Sequence, residues 1–250
     1  ACWNYYCLTR DGQWLRAKAF PLMKAVADFW VSRVTRNDDG SYSICNVVGA
    51  DEYANGVDDN AFTNGAAIRA LEYACEAAKI CNEPVPEIWE EVGKNIRILR
   101  FKDGITREHA TYNGEMIKQA DVNLLGYPLY FVGDAEWQKK DMEYYVDKID
   151  PQNGPAMSYS VFCVQYARMG DAKRAYEMFC RCYQPNLRAP FGVLAETPTS
   201  DNPYFMTGAG GLLQAVINGF CGLQITDGGV EQLSSVLPAH WKKVTVKGVG

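Results

Sequence analysis

The sequence predicts a mainly helical chain, either an α/α toroid or a helical bundle, with the beginning of a small β region at its C-terminal end. Apolar residues recur at helical spacing in successive segments, which indicates a series of helices. Long polar loops separate these helices, and after Gly222 the pattern changes to short strands and turns. We therefore predict a helical domain at residues 1–222 and the start of a β region at residues 223–250.

The first part of the chain contains three segments with helical patterns. Residues 12–36 carry apolar side chains at helical spacing, and Pro21 opens a new helix there or kinks this one. Residues 43–48 are short and β-like. Asp59 is the expected N-cap of the second helix, because its carboxylate can accept from free backbone N–H groups two or three residues further on. A third helix is predicted at about residues 86–98.

The second part contains four further helical segments and a glycine-rich helix. The four segments cover residues 114–130, 135–149, 157–169 and 171–183. The last two form a tight αα-hairpin, in which Gly170 stops one helix and Asp171 caps the next. The run GAGGLLQAVINGFCGL predicts a helix that packs very closely on its neighbours, and LQITDGG and KKVTVKG are the strand-like runs that follow.

Composition and charge exclude several classes of function. The net charge is −5 with no basic run, which argues against a nucleic-acid partner because binding phosphates needs clustered Lys and Arg. No apolar run approaches the ~20 residues that span a bilayer. The nine Cys show no CxxC spacing, and His109 and His240 are isolated, so we predict no metal site and no cofactor. The cysteines do not settle whether the protein is cytoplasmic or periplasmic.

Two loops concentrate acidic residues. In the first, Asp58 and Asp59 fit a capped helix entrance, whereas Asp51 and Glu52 lie too far upstream to be caps. The second loop, residues 192–211, holds Glu196 and Asp201 in mostly neutral surroundings. If the two loops converge on one pocket, a carboxyl group from each could cleave a glycoside, one as proton donor and the other as base or nucleophile. The spacing by itself does not separate this hypothesis from ordinary solvated carboxylates.

Three blocks of sequence resemble glycoside hydrolase family 65, which includes maltose, trehalose and kojibiose phosphorylases, acid trehalases and related inverting α-glucosidases. The blocks are GADEY followed by VDDNAFTN, then KQADV, then TGAGG continuing through QAV to GF. They occur in the family's order and span most of the chain. The resemblance implies the C-terminal half of an (α/α)6 catalytic barrel, followed by the first part of a small β domain.

The resemblance also implies roles for particular residues. The family's general acid is the Glu of the DEY motif, which is Glu52 here. The family's KQ pair holds glucose hydroxyls on the non-reducing side of the cleaved bond, which implies this role for Lys118 and Gln119. We include Asp51 and Tyr53, on either side of Glu52, among the expected substrate-binding residues. Two departures, Ala50 for the family's Pro and Ala54-Asn55 for its His-Glu, affect fine specificity and leave Glu52 in place.

Whether the nucleophile is water or phosphate depends on Glu196. The family's phosphorylases need no catalytic base, because phosphate is already an anion, whereas its hydrolases place a carboxylate before the third block. Glu196 occupies that position, and a carboxylate there would repel phosphate. We therefore expect inverting hydrolysis of an α-glucoside, kojibiose-like α-1,2 in preference, with Glu196 as general base. The alternatives are a disaccharide phosphorylase of the same family and an inactive carbohydrate-binding helical domain.

The expected partner is a small α-glucoside, with no nucleic acid and no membrane. The chain starts without Met and stops within a strand-like run, so we also expect a fragment that lacks the N-terminal part of the same enzyme. On that expectation the 250 residues alone are poorly active.

Overall fold

The computed structural model describes residues 1–131 and 133–248, and these separate into two compact units. The first unit contains Ala1–Gly49, Ala54–Asn113 and Ile225–Gly229. The second contains the short loop Ala50–Tyr53, the long segment Gly114–Gln224 and the chain from Val230 onward. In the described part of the chain, no helix combines the length and the apolar character that crossing a membrane requires.

The first unit is built from helices and one small hairpin. Its helices are α1 (Cys2–Thr9), α2 (Gly12–Trp14), a π-helical turn (Leu15–Ala19), α3 (Phe20–Arg33), α4 (Ala61–Cys81) and α5 (Glu87–Asn95). Strands β1 (Thr35–Arg36) and β2 (Tyr42–Ser43) pair antiparallel. The helix predicted at residues 12–36 is therefore confirmed up to Arg33, and Pro21 lies in the first turn of α3 as expected for an opening proline.

Helix α4 forms the core of the first unit, where it contacts both α3 and α5. Its buried face includes Ala67, Ile68, Leu71, Ala74 and Ala78. Because alanine side chains are small, the neighbouring helices can approach this face closely. Burial of such an apolar stripe, rather than intrinsic propensity, supplies most of a helix's stability in a protein.

The N-cap of α4 is Asn60, so the prediction of Asp59 was wrong by one residue. The Asn60 side chain accepts a hydrogen bond from the Thr63 N–H at 2.9 Å. Asp59 has a left-handed backbone conformation, with φ of 53°, and its buried carboxylate pairs with Arg97 at 2.6 Å. Asp58 is not a cap either, because its carboxylate accepts from the Asn46 N–H at 2.8 Å.

The second unit contains the predicted αα-hairpin. Its helices are α6 (Ala135–Tyr145), α7 (Met157–Arg168), α8 (Ala172–Arg181) and α9 (Met206–Gln214), the last continued by a π-helical turn (Ala215–Phe220). Gly170 adopts φ of 87° between α7 and α8, and Asp171 caps α8 by accepting from the Arg174 N–H. Both residues therefore have the roles predicted for them.

Helix α9 packs closely on α7, as its glycines predict. A Cβ atom added at Gly211 would lie 2.6 Å from the Ser160 Oγ, which is closer than Cβ atoms approach other heavy atoms in proteins. Only glycine fits at this position without moving α7.

The helix predicted at residues 114–130 was wrong. The only helical turn there is a 3-10 turn at Val122–Leu125. Upstream of it, the Ile117 N–H donates to the Lys148 carbonyl at 2.9 Å, and the Asp150 N–H donates back to the Ile117 carbonyl at 2.8 Å. Because the backbone binds another segment of the unit, it cannot form the i to i−4 bonds of a helix.

The strand predictions after Gly222 are confirmed in part. Strands β5 (Leu223–Thr226) and β6 (Gly229–Gln232) form a two-stranded sheet within the first strand-like run and just after it. Residues 242–248 are not a strand, since within the described residues they pair with no neighbouring strand. The domain boundary at residue 222 stays a prediction.

Candidate active site

The acidic loop Ala50–Tyr53 and the segment Ile117–Asp121 bind each other's backbone within the second unit. The Asp121 carboxylate accepts from the N–H of Ala50 at 2.8 Å and from the N–H of Asp51 at 3.3 Å. In return, Asp51 Oδ1 accepts from the N–H of Lys118 at 2.7 Å. The two aspartates therefore hold the two segments in one fixed arrangement, which we call the aspartate lock.

The two carboxylates of the aspartate lock are buried, whereas the side chain of Glu52, next to Asp51 in the sequence, is exposed. Asp51 is 2% exposed and Asp121 is fully buried, but the side chain of Glu52 is 59% exposed. A buried carboxylate that accepts backbone N–H groups is stabilised in its ionised form and costs much to displace. The lock thus fixes the backbone on both sides of Glu52 and leaves its side chain accessible.

Lys118 lies between the two predicted catalytic carboxylates. Its ammonium donates a hydrogen bond to Glu52 Oε2, and it lies 3.9 Å from Glu196 Oε1. The hydrogen bond to Glu52 raises the pKa of Lys118 above its ordinary value, so the side chain stays positively charged. The Lys118 side chain is only 19% exposed, so it is not the surface charge that its position in the sequence would by itself suggest.

The shared ammonium limits the distance between the two carboxylates. One of these oxygens is hydrogen-bonded to the Lys118 Nζ, at no more than about 3 Å, and the other lies 3.9 Å from it, so the two oxygens are at most about 7 Å apart, a limit that admits both the inverting and the retaining separation. Inverting glycosidases separate their carboxyl groups by roughly 6.5–9.5 Å and retaining ones by about 5–5.5 Å. The two acidic loops therefore converge, as the hypothesis of a paired carboxylate site required.

Gln119 and Tyr53 also lie at this site. The Gln119 side-chain N–H donates to the Ala50 carbonyl and adds a further bond between the two segments. The Tyr53 hydroxyl donates to Asp150 Oδ2 at 2.8 Å. Backbone N–H groups of Asn153 and Gln152 hold the pKa of Asp150 well below its usual range, and the bond to Asp150 raises the pKa of Tyr53. This anchor fixes the ring of Tyr53 next to Glu52.

Glu196 follows a short hairpin of strands β3 (Leu187–Arg188) and β4 (Val193–Leu194). Its carbonyl accepts from the Asn186 side chain at 3.0 Å and from the Ala156 N–H at 3.1 Å. The Glu196 side chain is 34% exposed, so water can reach it. Asp201, in the same acidic loop, is fully exposed and does not lie with the other carboxylates around Lys118.

Several residues of the site carried no role in the sequence analysis. Asp121 stands within the KQADV block, but nothing in the sequence shows that it binds the backbone of a loop about 70 residues away. Asp150 and Asn186 lie in no recognisable motif. Among the described residues, no group of three or more His, Cys, Asp or Glu is arranged to hold a metal ion. The absence of a metal and of a cofactor from the working protein stays a prediction.

Comparison with known protein families and proteins shows which family the chain belongs to. Residues 1–112 match the model of the glycosyl hydrolase family 65 central catalytic domain. The chain is 50% identical over its whole length to a kojibiose hydrolase of Mucilaginibacter mallensis and 49% identical to one of Flavobacterium johnsoniae. It is 37% identical over 98% of its length to a protein-glucosylgalactosylhydroxylysine glucosidase of Danio rerio. The chain belongs to glycoside hydrolase family 65.

The relatives are longer than this chain, which spans 37% of each of the two kojibiose hydrolases and 38% of the Danio rerio protein. A solved structure from the human microbiome, named provisionally as a kojibiose phosphorylase, superposes with a TM-score of 0.71. It shares 18% sequence identity and is matched over 96% of this chain and 40% of its own. The fold is therefore shared, and the prediction of a mainly helical chain forming part of an α/α toroid is confirmed.

Proposed function

We propose that the protein containing this chain hydrolyses an α-glucoside with inversion, releasing β-glucose, and that a kojibiose-like α-1,2 disaccharide is the favoured substrate. The single observation that carries this proposal is the position of Lys118, within ion-pair range of both Glu52 and Glu196. Glycoside hydrolysis requires two carboxyl groups that flank the cleaved bond. The kojibiose preference rests on the two bacterial relatives that carry that name.

In the proposed reaction Glu52 is the general acid. It gives its proton to the glycosidic oxygen while the bond from that oxygen to the anomeric carbon breaks. Glu52 is bound to the Lys118 ammonium in the structure. A bound sugar whose hydroxyls take the N–H donors of Lys118 would free the Glu52 carboxyl group to contact the glycosidic oxygen.

Glu196 is the proposed general base. A water molecule on the opposite face of the sugar ring attacks the anomeric carbon and gives its proton to Glu196. Attack from the face opposite the leaving group converts the α-linkage into a β-product. The partial exposure of Glu196 is consistent with access to water.

The remaining predicted residues bind the sugar. Lys118 and Gln119 present an ammonium and an amide, which make directional hydrogen bonds to neighbouring hydroxyls. Tyr53 presents a ring whose position is fixed by its bond to Asp150. Asp51 stays among the predicted substrate-binding residues, and its bonds to backbone N–H groups also give it a part in fixing the loop.

The alternative functions predict different products. A disaccharide phosphorylase would bring phosphate to the position that Glu196 occupies. Two like unit charges 4 Å apart repel by about 4 kcal/mol at an effective dielectric constant of about 20, which disfavours this alternative. An inactive carbohydrate-binding domain would not need both carboxylates beside one lysine.

The test uses the full-length protein and a panel of glucobioses, with and without added phosphate, and follows the product anomer by NMR. We expect phosphate-independent release of β-glucose, fastest from the α-1,2 disaccharide. Glu52→Gln and Glu196→Gln should each lower kcat by about 10²–10⁴-fold while sugar binding persists. Turnover that depends on phosphate, or full activity of either variant, would overturn the proposal.

A further inference from the structure

The loop that carries Glu196 is organised around the guanidinium of Arg188. Arg188 Nη2 donates to the carbonyls of Thr197, Pro198 and Ser200 at 3.2, 2.7 and 2.9 Å. These three residues lie within four positions after Glu196 and belong to no helix or strand. The Arg188 side chain therefore fixes the backbone conformation of these residues.

The other terminal nitrogen of the same guanidinium binds the backbone at the start of the hairpin. Arg188 Nη1 donates to the carbonyls of Pro185 and Leu187 at 3.0 and 3.1 Å, at the start of the hairpin. It thus joins the chain before β3 to the chain after Glu196. The nearby carboxylate of Asp201 is fully exposed and 4.0 Å away, a distance and exposure at which an ion pair contributes little.

The carboxylate of Glu196 depends on its backbone for its direction. Within the described residues its ion-pair partner is Lys118 at 3.9 Å, and no side chain donates a hydrogen bond to it. Asn186 and Ala156 hold the Glu196 carbonyl. The chain on the C-terminal side of Glu196 is held by Arg188.

We propose that Arg188 is a positioning residue for the general base: it orients Glu196 by binding the carbonyls that follow it. This inference rests on the proposed function, in which Glu196 activates water. Arg188 touches neither the sugar nor the reacting atoms, and it acts through the backbone. Its planar fork with five donors suits several carbonyls at once, whereas a lysine ammonium presents its donors at a single point.

The test compares Arg188→Lys with wild type in the full-length protein. A base displaced by about 1 Å can lower the rate by about 10²-fold. We expect kcat to fall tenfold to a hundredfold while KM changes less than about threefold, because Lys118 and Gln119 still bind the sugar. Arg174→Lys is the matched control, since Arg174 pairs with Glu143 and Asp171 away from this loop, and it should behave as wild type.

Two probes separate a misplaced base from a damaged protein. α-Glucosyl fluoride loses fluoride without needing a proton, so Arg188→Lys should be slowed on it as much as on the disaccharide, whereas Glu52→Gln should keep most of its activity. Azide attacks the anomeric carbon without a base, breaks the carbon–fluorine bond and releases fluoride with the bonding electrons. Azide should therefore restore turnover of the fluoride by Glu196→Ala, with β-glucosyl azide as product, and equally well by the double variant Glu196→Ala with Arg188→Lys, in which no base is left to position.

The outcomes distinguish the two proposals. Normal hydrolysis by Glu196→Gln would overturn the proposed function. An inactive Glu196→Gln together with a wild-type rate for Arg188→Lys would overturn only the role of Arg188. A lower melting temperature for Arg188→Lys, with azide-dependent turnover by the double variant far below that of Glu196→Ala, would show that Arg188 stabilises the fold rather than positions the base.

Discussion

The two carboxylates of the candidate site are supported in different ways. On the acid side, Glu52 stands between segments that the buried carboxylates of Asp51 and Asp121 fix through backbone N–H groups. On the base side, Glu196 stands in an irregular loop that Asn186 and Arg188 fix through backbone carbonyls. One side is held by buried anions and the other by an amide and a partly exposed cation.

This difference corresponds to the two chemical tasks. An acid must deliver its proton to one oxygen, and a buried, rigid support restricts its position. A base must meet a water molecule, and a partly exposed loop admits water. If the difference is functional, damage to the acid side should depend on the leaving group, and damage to the base side should not.

Lys118 belongs to both sides, and its replacement should have the largest effect. Lys118→Met removes the ammonium that lies beside both carboxylates and leaves their like charges without a shared cation. We expect kcat/KM for the disaccharide to fall at least 10²-fold, with KM clearly raised. Isothermal titration with the product sugar checks the lost binding, and Lys140→Met, an exposed lysine that pairs with Glu136, is the control. Unchanged sugar affinity would contradict the predicted role.

Asp121 tests the acid side. Asp121→Ala leaves the N–H groups of Ala50 and Asp51 without their acceptor, and an unsatisfied buried group costs about 1–3 kcal/mol. We expect the free energy of unfolding to fall by about 2 kcal/mol and kcat on the disaccharide to fall more than kcat on α-glucosyl fluoride. Asp121→Asn keeps an acceptor oxygen and should recover part of both losses. An equal loss on the two substrates would show that Asp121 does not act through Glu52.

Asn186 tests the base side with a smaller expected effect. Its side-chain N–H group donates to the carbonyls of Ala195 and Glu196, and it is 2% exposed. Asn186→Ala should lower the free energy of unfolding by about 1 kcal/mol and slow both substrates by a similar factor, about tenfold. Steady-state kinetics on the two substrates checks this. A loss confined to the disaccharide would contradict the division between the two sides.

Much of the fold could be predicted from local sequence. The hairpin of α7 and α8 was found because Gly170 and Asp171 act on their immediate neighbours. The segment at residues 114–130 was missed because its backbone partners, including Asp51 and Lys148, are distant in sequence. Apolar spacing reports helices reliably only where the backbone bonds to itself.

The candidate site also contains residues that the sequence could predict and residues that it could not. The residues with expected roles, Glu52, Lys118 and Glu196, came from the resemblance to a family, and no spacing rule would have brought them together. The residues that hold them, Asp121, Asn186 and Arg188, bind backbone atoms rather than side chains. Binding to backbone leaves no complementary residue in the sequence, so only coordinates show it.

The smallest predicted effect is a pH dependence of the protein's stability that comes from Asp150. Because backbone N–H groups and Tyr53 stabilise its ionised form, the pKa of Asp150 lies below that of an unfolded aspartate, about 3.9. A lowered pKa in the folded state stabilises the protein above the unfolded pKa, and this stabilisation is lost as pH falls from there toward the folded pKa. Wild type should therefore melt slightly above Asp150→Asn at pH 7, and the difference should shrink steadily below about pH 4. A constant gap between wild type and Asp150→Asn from pH 7 to pH 3 would mean that the charge of Asp150 does not anchor Tyr53.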